Sequence, residues 1–382
     1  SNGGSAYVFQ FKNEGSTWKL VEKLDAGDNA NNIRTTVAGN SFGSSVAILE
    51  EHNIIVIGAP YDINDDGFNR GAVYIFRYDG SSWMNDRQQK ITANYNELQT
   101  MNANFGASAA IGGINNCTMV IIGTPKDQID YENGYERGSI YTFLYNASDD
   151  TWKEQQKLIV NDGVDQDHFG EALDIYHNTI VAGASGIIGR QNAFVFQYDG
   201  TTWMQQQRLA ANDEGAGKYQ GPDGFGISVS IDHSIIIIGA PFKGGAYGGA
   251  YLFLFDNTTN SWNEEKILIP SGGLHSNDRF GTSVAVSDDV IAVGACMANQ
   301  GRGNAYIFSA VKASSSNDEM NNIDESVINT GIFWTMIIPI AFIIFLLTAV
   351  VGVRKQRRYK RISADNDDDG NFDLQLVETS DT

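Results

Sequence analysis

The chain is poor in the residues that usually carry chemistry. Two cysteines and five histidines occur in 382 residues, and no nucleophile elbow, phosphate loop, zinc-ligand spacing or Ser/His/Asp set is legible. This predicts that the protein is not an enzyme. Cys117 and Cys296 lie three repeating units apart and are read as small, unpaired, buried hydrophobes. A domain of about 300 residues buries enough surface to do without cross-links. His52, His177 and His233 recur at one turn position, while His168 and His275 stand elsewhere in their units, so no histidine cluster is expected. Cations are scarce as well: 26 Lys and Arg face 46 Asp and Glu, a net charge of −20. Such a surface repels nucleic acid and attracts cations or basic partners.

What the chain does have is repetition. Phe-Gly occurs at 42–43, 105–106, 169–170, 225–226 and 280–281, and 14 to 18 residues after each Phe comes Gly with a small residue: Gly58-Ala59-Pro60, Gly123-Thr124-Pro125, Gly183-Ala184-Ser185, Gly239-Ala240-Pro241 and Gly294-Ala295-Cys296. The Phe-Gly pairs are 63, 64, 56 and 55 residues apart, so one unit is one supersecondary element.

Within a unit, short alternating runs bounded by Gly, Asn and Asp predict four strands. Strand A follows Phe-Gly, as in Ser45 to Leu49. Strand B is almost wholly apolar, as in Ile54 to Ile57 and Ile235 to Ile238, and is therefore expected to be buried on both faces. Strand C alternates aromatics (Tyr7/Phe9, Tyr74/Phe76, Tyr141/Phe143, Phe194/Phe196, Tyr251/Phe253, Tyr306/Phe308), and strand D carries one Trp (Trp18, Trp83, Trp152, Trp203, Trp262) among polar residues. A β-sandwich explains short strands but not recurrence of the whole unit. The predicted fold is all-β: a β-propeller of four-stranded antiparallel blades, about five of them visible.

Phe-Gly, Gly-Ala-Pro, Gly-Ala-Val-Tyr-Ile-Phe at 71–76 and Tyr-Asp-Gly-Ser-Ser-Trp at 78–83 resemble the FG-GAP repeat, which builds the propeller of integrin α subunits and occurs in many bacterial and protist surface proteins. The resemblance spans about residues 4 to 308. It implies an extracellular seven-bladed propeller used for adhesion or ligand binding. Integrin α propellers carry disulfides, and this chain departs from them there.

Blade counting leaves the last A-B-C set, ending at Phe308, without a D strand. An N-terminal D strand is expected to close it. The strand around Trp18 gives five blades, and a strand upstream of Ser1 allows seven. The chain opens mid-blade without Met or a signal peptide, which predicts N-terminal truncation of a propeller ending near residue 312.

Residues 313–330 read as a polar linker, and Gly331 to Val353 are 23 residues without a charge, long enough for a transmembrane helix. Pro339 and Trp334 suit a kink and an interface. Arg354, Lys355, Arg357, Arg358, Lys360 and Arg361 follow at once. The positive-inside rule then places a disordered tail, 354–382, in the cytosol and the propeller outside, as in a single-pass type I protein of the plasma membrane. Those cations face anionic lipid headgroups, at about 1 kcal/mol each. The tail has six basic and seven acidic residues, leaving 20 basic and 39 acidic in the rest, or −19. The tail lacks the membrane-proximal Gly-Phe-Phe-Lys-Arg of integrins, which puts pairing with a β subunit in doubt. Tyr359-Lys-Arg-Ile362 has the form of an endocytic signal, and Ser363 follows basic residues as a kinase site would.

One segment has the opening of a Ca²⁺ loop: Asp62, Asn64 and Asp66 alternate and Gly67 follows. Arg70 and Val73 occupy the ninth and twelfth positions, so a solvated polar turn is the competing reading. Metal, if any, is Ca²⁺ held by Asp62, Asn64 and Asp66.

In an antiparallel blade the B-C and D-A loops share one end. Here they are the long, varied ones, and loops on a rigid scaffold are where binding concentrates. The residues expected to contact an extracellular protein or glycan ligand are Tyr61, Phe68, Arg70, Tyr131, Tyr135, Arg137, Tyr219, Phe242 and Tyr247, with Asp65 beside them. The acceptor sequons at Asn116, Asn146 and Asn257 fall on the opposite A-B and C-D turns, leaving the long-loop face free of glycan. Two functions fit: a surface adhesion or ligand-recognition protein, or a cell-coat scaffold assembling laterally.

Overall fold

The computed structural model describes residues 4–12, 17–26, 39–63, 69–83, 88–93, 102–114, 117–130, 135–161, 163–186, 191–212, 223–288, 290–311 and 322–328. A hairpin of β1 (Ala6–Lys12) and β2 (Thr17–Leu24) comes first. Blade 1 is β3 (Ser45–Leu49), β4 (Ile54–Ala59), β5 (Ala72–Arg77) and β6 (Gln89–Ile91). Blade 2 is β7 (Ser108–Ile114) and β8 (Cys117–Thr124), then, after a small hairpin of β9 (Gln128–Asp130) and β10 (Tyr135–Glu136), β11 (Ser139–Asn146) and β12 (Thr151–Leu158). Blade 3 is β13 (Leu173–Tyr176), β14 (Thr179–Ala184), β15 (Asn192–Tyr198) and β16 (Trp203–Leu209). Blade 4 is β17 (Ser228–Asp232), β18 (Ile235–Gly239), β19 (Ala250–Asp256) and β20 (Ser261–Leu268). Blade 5 is β21 (Phe280–Ser287), β22 (Val290–Ala295), β23 (Asn304–Val311) and β24 (Asn322–Ile328). Each blade is a four-stranded antiparallel meander in A-B-C-D order, and the five blades form a propeller.

Blade 5 corrects the expected closure. Its fourth strand is β24, paired with β23 from Ala305↔Ile328 to Val311↔Asn322, inside the segment read as a linker. No N-terminal strand is needed there, and β1–β2 form their own two-stranded sheet beside blade 1. The apolar stretch 331–353 and the tail lie outside the described residues. Among the described residues no helix is long and apolar enough to cross a membrane.

Successive blades share their cores. Four apolar clusters draw side chains from two neighbouring blades and a fifth joins the β1–β2 hairpin to blade 1; between blades 1 and 2, Val56, Val73 and Ile75 meet Phe105, Ile111 and Tyr141. The B strands are buried along their length, as their apolar runs require. The Phe of each Phe-Gly packs against two aromatics of its own C strand, edge-on in most pairs: the ring centroid of Phe105 is 5.6 Å from that of Tyr141 and 6.2 Å from that of Phe143. Burying one such ring contributes about 3 kcal/mol.

The two glycine motifs meet across the blade boundary. A methyl group on Gly123 would lie 2.0 Å from the carbonyl oxygen of Gly170 in the next blade, and the same clash recurs for Gly58 on Gly106, Gly183 on Gly226 and Gly239 on Gly281. A strand-A serine fastens three of these junctions, each hydroxyl donating to the facing carbonyl: Ser45 to Gly106, Ser108 to Gly170 and Ser228 to Gly281. At the outer rim, D-strand glutamines clasp the Trp backbone of the next blade. Gln156 Oε1 accepts from Trp203 N at 2.8 Å while its Nε2 donates to Trp203 O at 3.0 Å, and Gln207 does the same to Trp262.

The cysteines are free, as expected, but Cys117 is exposed rather than buried, because it opens β8 at the turn. Cys296 is half-buried, with its sulfur 3.4 Å from Thr282 Oγ1.

Candidate ligand-binding face

Backbone hydrogen bonds place the B-C and D-A loops at one end of the blades. Within a blade, the start of the B-C loop bonds the incoming D-A loop: Tyr61 N to Asn40 O, Lys126 N to Ala103 O, Phe242 N to Asp223 O and Met297 N to Asp278 O. Between blades, the end of the B-C loop receives the next Phe: Phe105 N to Arg70 O, Phe169 N to Arg137 O and Phe280 N to Tyr247 O. At the other end, A-B turns meet C-D turns through Tyr78 N to Asn53 O and Phe255 N to Ser234 O.

The long-loop face is held rigidly. The residue before each Phe-Gly has positive φ (Ser41, Asn104, His168, Gly224, Arg279), which turns the chain sharply into strand A. Asp167 and Asp278 stiffen two of these approaches, their Oδ2 atoms accepting from Val164 N and His275 N, each at 2.7 Å. The B-C loop of blade 2 makes the β9–β10 hairpin, tied to the next D-A loop by Glu136 N to Asp165 Oδ1 at 2.9 Å.

On this frame Tyr61, Phe242 and Tyr247 are exposed. The Arg279 guanidinium lies 5.4 Å from the Phe242 ring centre, so blades 4 and 5 together present a cation beside aromatics. Tyr135 falls in β10, paired with Asp130, and Arg137 is half-buried just after it. Arg70 is a correction: it is 6 % exposed, its main chain held against the next blade where its carbonyl accepts from Phe105 N, and it is not displayed to a ligand. Phe68, Tyr131 and Tyr219, with Asp65, lie outside the described residues.

Asp62 also points inward. It is 1 % exposed, accepts a hydrogen bond from Tyr74 OH and lies 3.4 Å from Lys90 Nζ. Burial, reinforced by the Asp62 charge, pushes the Tyr74 phenol far above its usual range. The same position of blade 2 repeats the arrangement: fully buried Asp127 accepts from Tyr141 OH at 3.0 Å and Ser139 Oγ at 2.5 Å and pairs with Lys157 Nζ at 2.7 Å. Blade 4 has Lys243 there instead, 5.3 Å from the Tyr251 ring centre. The recurrence of Asp two residues after the Pro, in step with a D-strand Lys, was the available signal that Asp62 serves the blade interior. Asn64 and Asp66, the other expected Ca²⁺ ligands, lie outside the described residues.

On the opposite face, His52, His177 and His233 stand one to a blade at the A-B turns, and two of them contact the neighbouring blade. His52 Nδ1 is 2.6 Å from Thr118 Oγ1, and the His233 ring packs 4.7 Å from Tyr176. Asn146 and Asn257 sit on C-D turns there; Asn116 is outside the described residues. The C-D turns of blades 1 to 4 are Asx turns, at Asp79, Asn146, Asp199 and Asp256. Asp199, for example, accepts from Thr201 N and Thr202 N, and these bonds hold its carboxyl down at about 2.

The FG-GAP repeat family profile matches residues 18–76, 152–196, 203–253 and 262–308, more than half of the chain. The chain belongs to the FG-GAP repeat family. As an FG-GAP propeller it bears out the repeat and fold read from its sequence, and its architecture is consistent with an integrin α-like domain. A comparison with curated proteins finds no match.

Proposed function

We propose that this FG-GAP protein is a non-catalytic cell-surface adhesion or ligand-recognition protein, its propeller outside the plasma membrane on a single-pass type I anchor at 331–353. The observation that carries the reading is the bonded row of B-C and D-A loops along successive blades. A rigid frame displays Tyr61, Phe242 and Tyr247 at little ordering cost on binding. The uncharged stretch followed by six cations supports the anchor and its orientation. The ligand is an extracellular protein or glycan, with an Arg279–Phe242 pair suited to an acidic or sugar group.

Alanine at Tyr61, Phe242 and Tyr247 together is expected to reduce attachment of expressing cells at least tenfold with surface display unchanged. New sequons in the D-A loops should block attachment, and removal of those at Asn146 and Asn257 should not. Loss of attachment from glycans on the C-D turns instead would invert the faces. Indifference to both would favour lateral assembly through the outer strands. Protease on intact cells is expected to remove the repeats and spare a tag at Thr382.

A further inference from the structure

We propose that the seam between blades 4 and 5 carries a carboxylate-recognition site, in which Arg279 receives an acidic side chain of a protein ligand and Phe242, Tyr247 and Met297 receive an apolar neighbour of that side chain. The inference rests on the reading of the long-loop face as the binding face and names the chemistry that face selects.

Arg279 differs from its counterparts. The residue before Phe-Gly is Ser41, Asn104, His168 or Gly224 in the other four blades, and only blade 5 puts a permanent cation there. In a chain of net charge −20 cations find carboxylates: Lys90, Lys157 and Arg77 do so at 3.4, 2.7 and 3.0 Å. Among the described residues Arg279 makes no ion pair. The adjacent carboxylate, Asp278, is committed to His275, accepting from its N at 2.7 Å and lying 3.5 Å from its Nδ1. The Nε of Arg279 is buried and has no hydrogen-bond partner among the described residues. A buried charged donor without an acceptor is costly, and a carboxylate satisfies it.

The main chain fixes the site across the seam. Arg279 N donates to Ala246 O and Phe280 N to Tyr247 O, each at 3.1 Å, while Met297 N donates to Asp278 O. Tyr247 occupies the B-C position that holds Arg70 and Arg137 in blades 1 and 2, so this seam takes its arginine from the D-A side, where Arg279 stays half-buried while Arg70 is buried. The guanidinium lies 5.4 Å from the Phe242 ring centre, a stacking that orders its planar fork before a ligand arrives. Phe242, Tyr247 and Met297 are exposed. Three apolar side chains thus stand on segments bonded to one unpaired cation and its neighbours.

That combination specifies the ligand. A guanidinium matches the two oxygens of a carboxylate as a bidentate pair, and apolar groups that exclude water around it strengthen the pair. A thioether and two aromatics suit packing against another apolar side chain, which favours an acidic protein segment over a sugar acid. The net negative charge repels acidic partners at long range. An acid is therefore held only where it reaches Arg279, by geometry rather than bulk attraction.

The test uses the full chain in detergent micelles and an array of capped synthetic peptides, in which a central Asp flanked by Leu or Phe alternates with Asn at the same place. The unaltered chain is expected to bind Asp members at least tenfold more tightly than their Asn counterparts. Arg279→Gln should abolish that discrimination, and Arg279→Lys, which keeps the charge without the fork, should recover only part of it. The Asp-against-Asn comparison on the unaltered chain needs no variant to fold. Equal retention of both sets, or retention of neither, would overturn the proposal. So would retention of sialylated oligosaccharides in place of peptides, lost in Arg279→Gln, since it would assign the carboxylate to a glycan. Cell attachment separates this inference from the reading beneath it. Attachment lost in the triple alanine variant but kept in Arg279→Gln would leave the binding face standing without the carboxylate; Asp-selective, Arg279-dependent capture by a chain whose cells do not attach would do the reverse.

Discussion

Ser230 Oγ donates to the Asp174 carboxylate at 2.9 Å and accepts the amide of Val286 at 3.1 Å. One hydroxyl thus ties strand A of blade 4 to those of blades 3 and 5. Asp174 also accepts from Ile231 N at 2.9 Å and Ile175 N at 2.8 Å. Even so, burial dominates, and with a smaller push from Asp232 it raises the Asp174 carboxyl to about 6.

That value fixes a sign. The folded form holds the proton more tightly than the unfolded chain, whose carboxyl titrates near 3.9, so between pH 4 and 6 the native state binds more protons and stability falls as pH rises. Complete expression of the shift amounts to about 3 kcal/mol. Asp174→Asn is expected to flatten this part of the stability curve, measured by urea denaturation at pH 4, 5, 6 and 7. An unchanged slope would mean that another group carries it.

Gly123→Ala is expected to destabilise the propeller by more than about 3 kcal/mol, because the methyl group meets backbone of the next blade. Gly113, also in blade 2, has open space where its Cβ would stand. Alanine there should be neutral or stabilise by a few tenths of a kcal/mol. Thermal unfolding of the two variants side by side separates close approach from a general cost of losing glycine.

Lys157→Met leaves Asp127 buried without its cation and should cost about 3 kcal/mol. Adding Asp127→Asn should recover part of that loss, since the uncompensated charge is then gone. A double-mutant cycle by chemical denaturation measures the coupling. Additive losses would show the pair to be independent.

Much of this was legible because the motifs report close contacts: Phe-Gly and Gly-Ala-Pro mark the places where backbones of neighbouring blades touch. β24 escaped because its sequence, Asn-Ile-Asp-Glu-Ser-Val-Ile, lacks the Trp used to recognise strand D. Its pairing is set by β23 rather than by its own pattern. The place of Asp62 was not legible because alternating Asp and Asn suit a cation loop and a polar turn equally. What decides is Lys90, twenty-eight residues on, brought alongside by the meander. Exposed loop aromatics were readable as loop residues, whereas Arg70 shows that position in a loop does not guarantee display.

Because Gly58 meets Gly106 and Gly123 meets Gly170, each in the unit that follows, these boundaries are local agreements between adjacent units. A gene encoding such a row can gain or lose one whole unit in register, and the new neighbours still meet glycine to glycine. A row built this way tolerates a change in its number of units better than a side chain at either glycine of a seam.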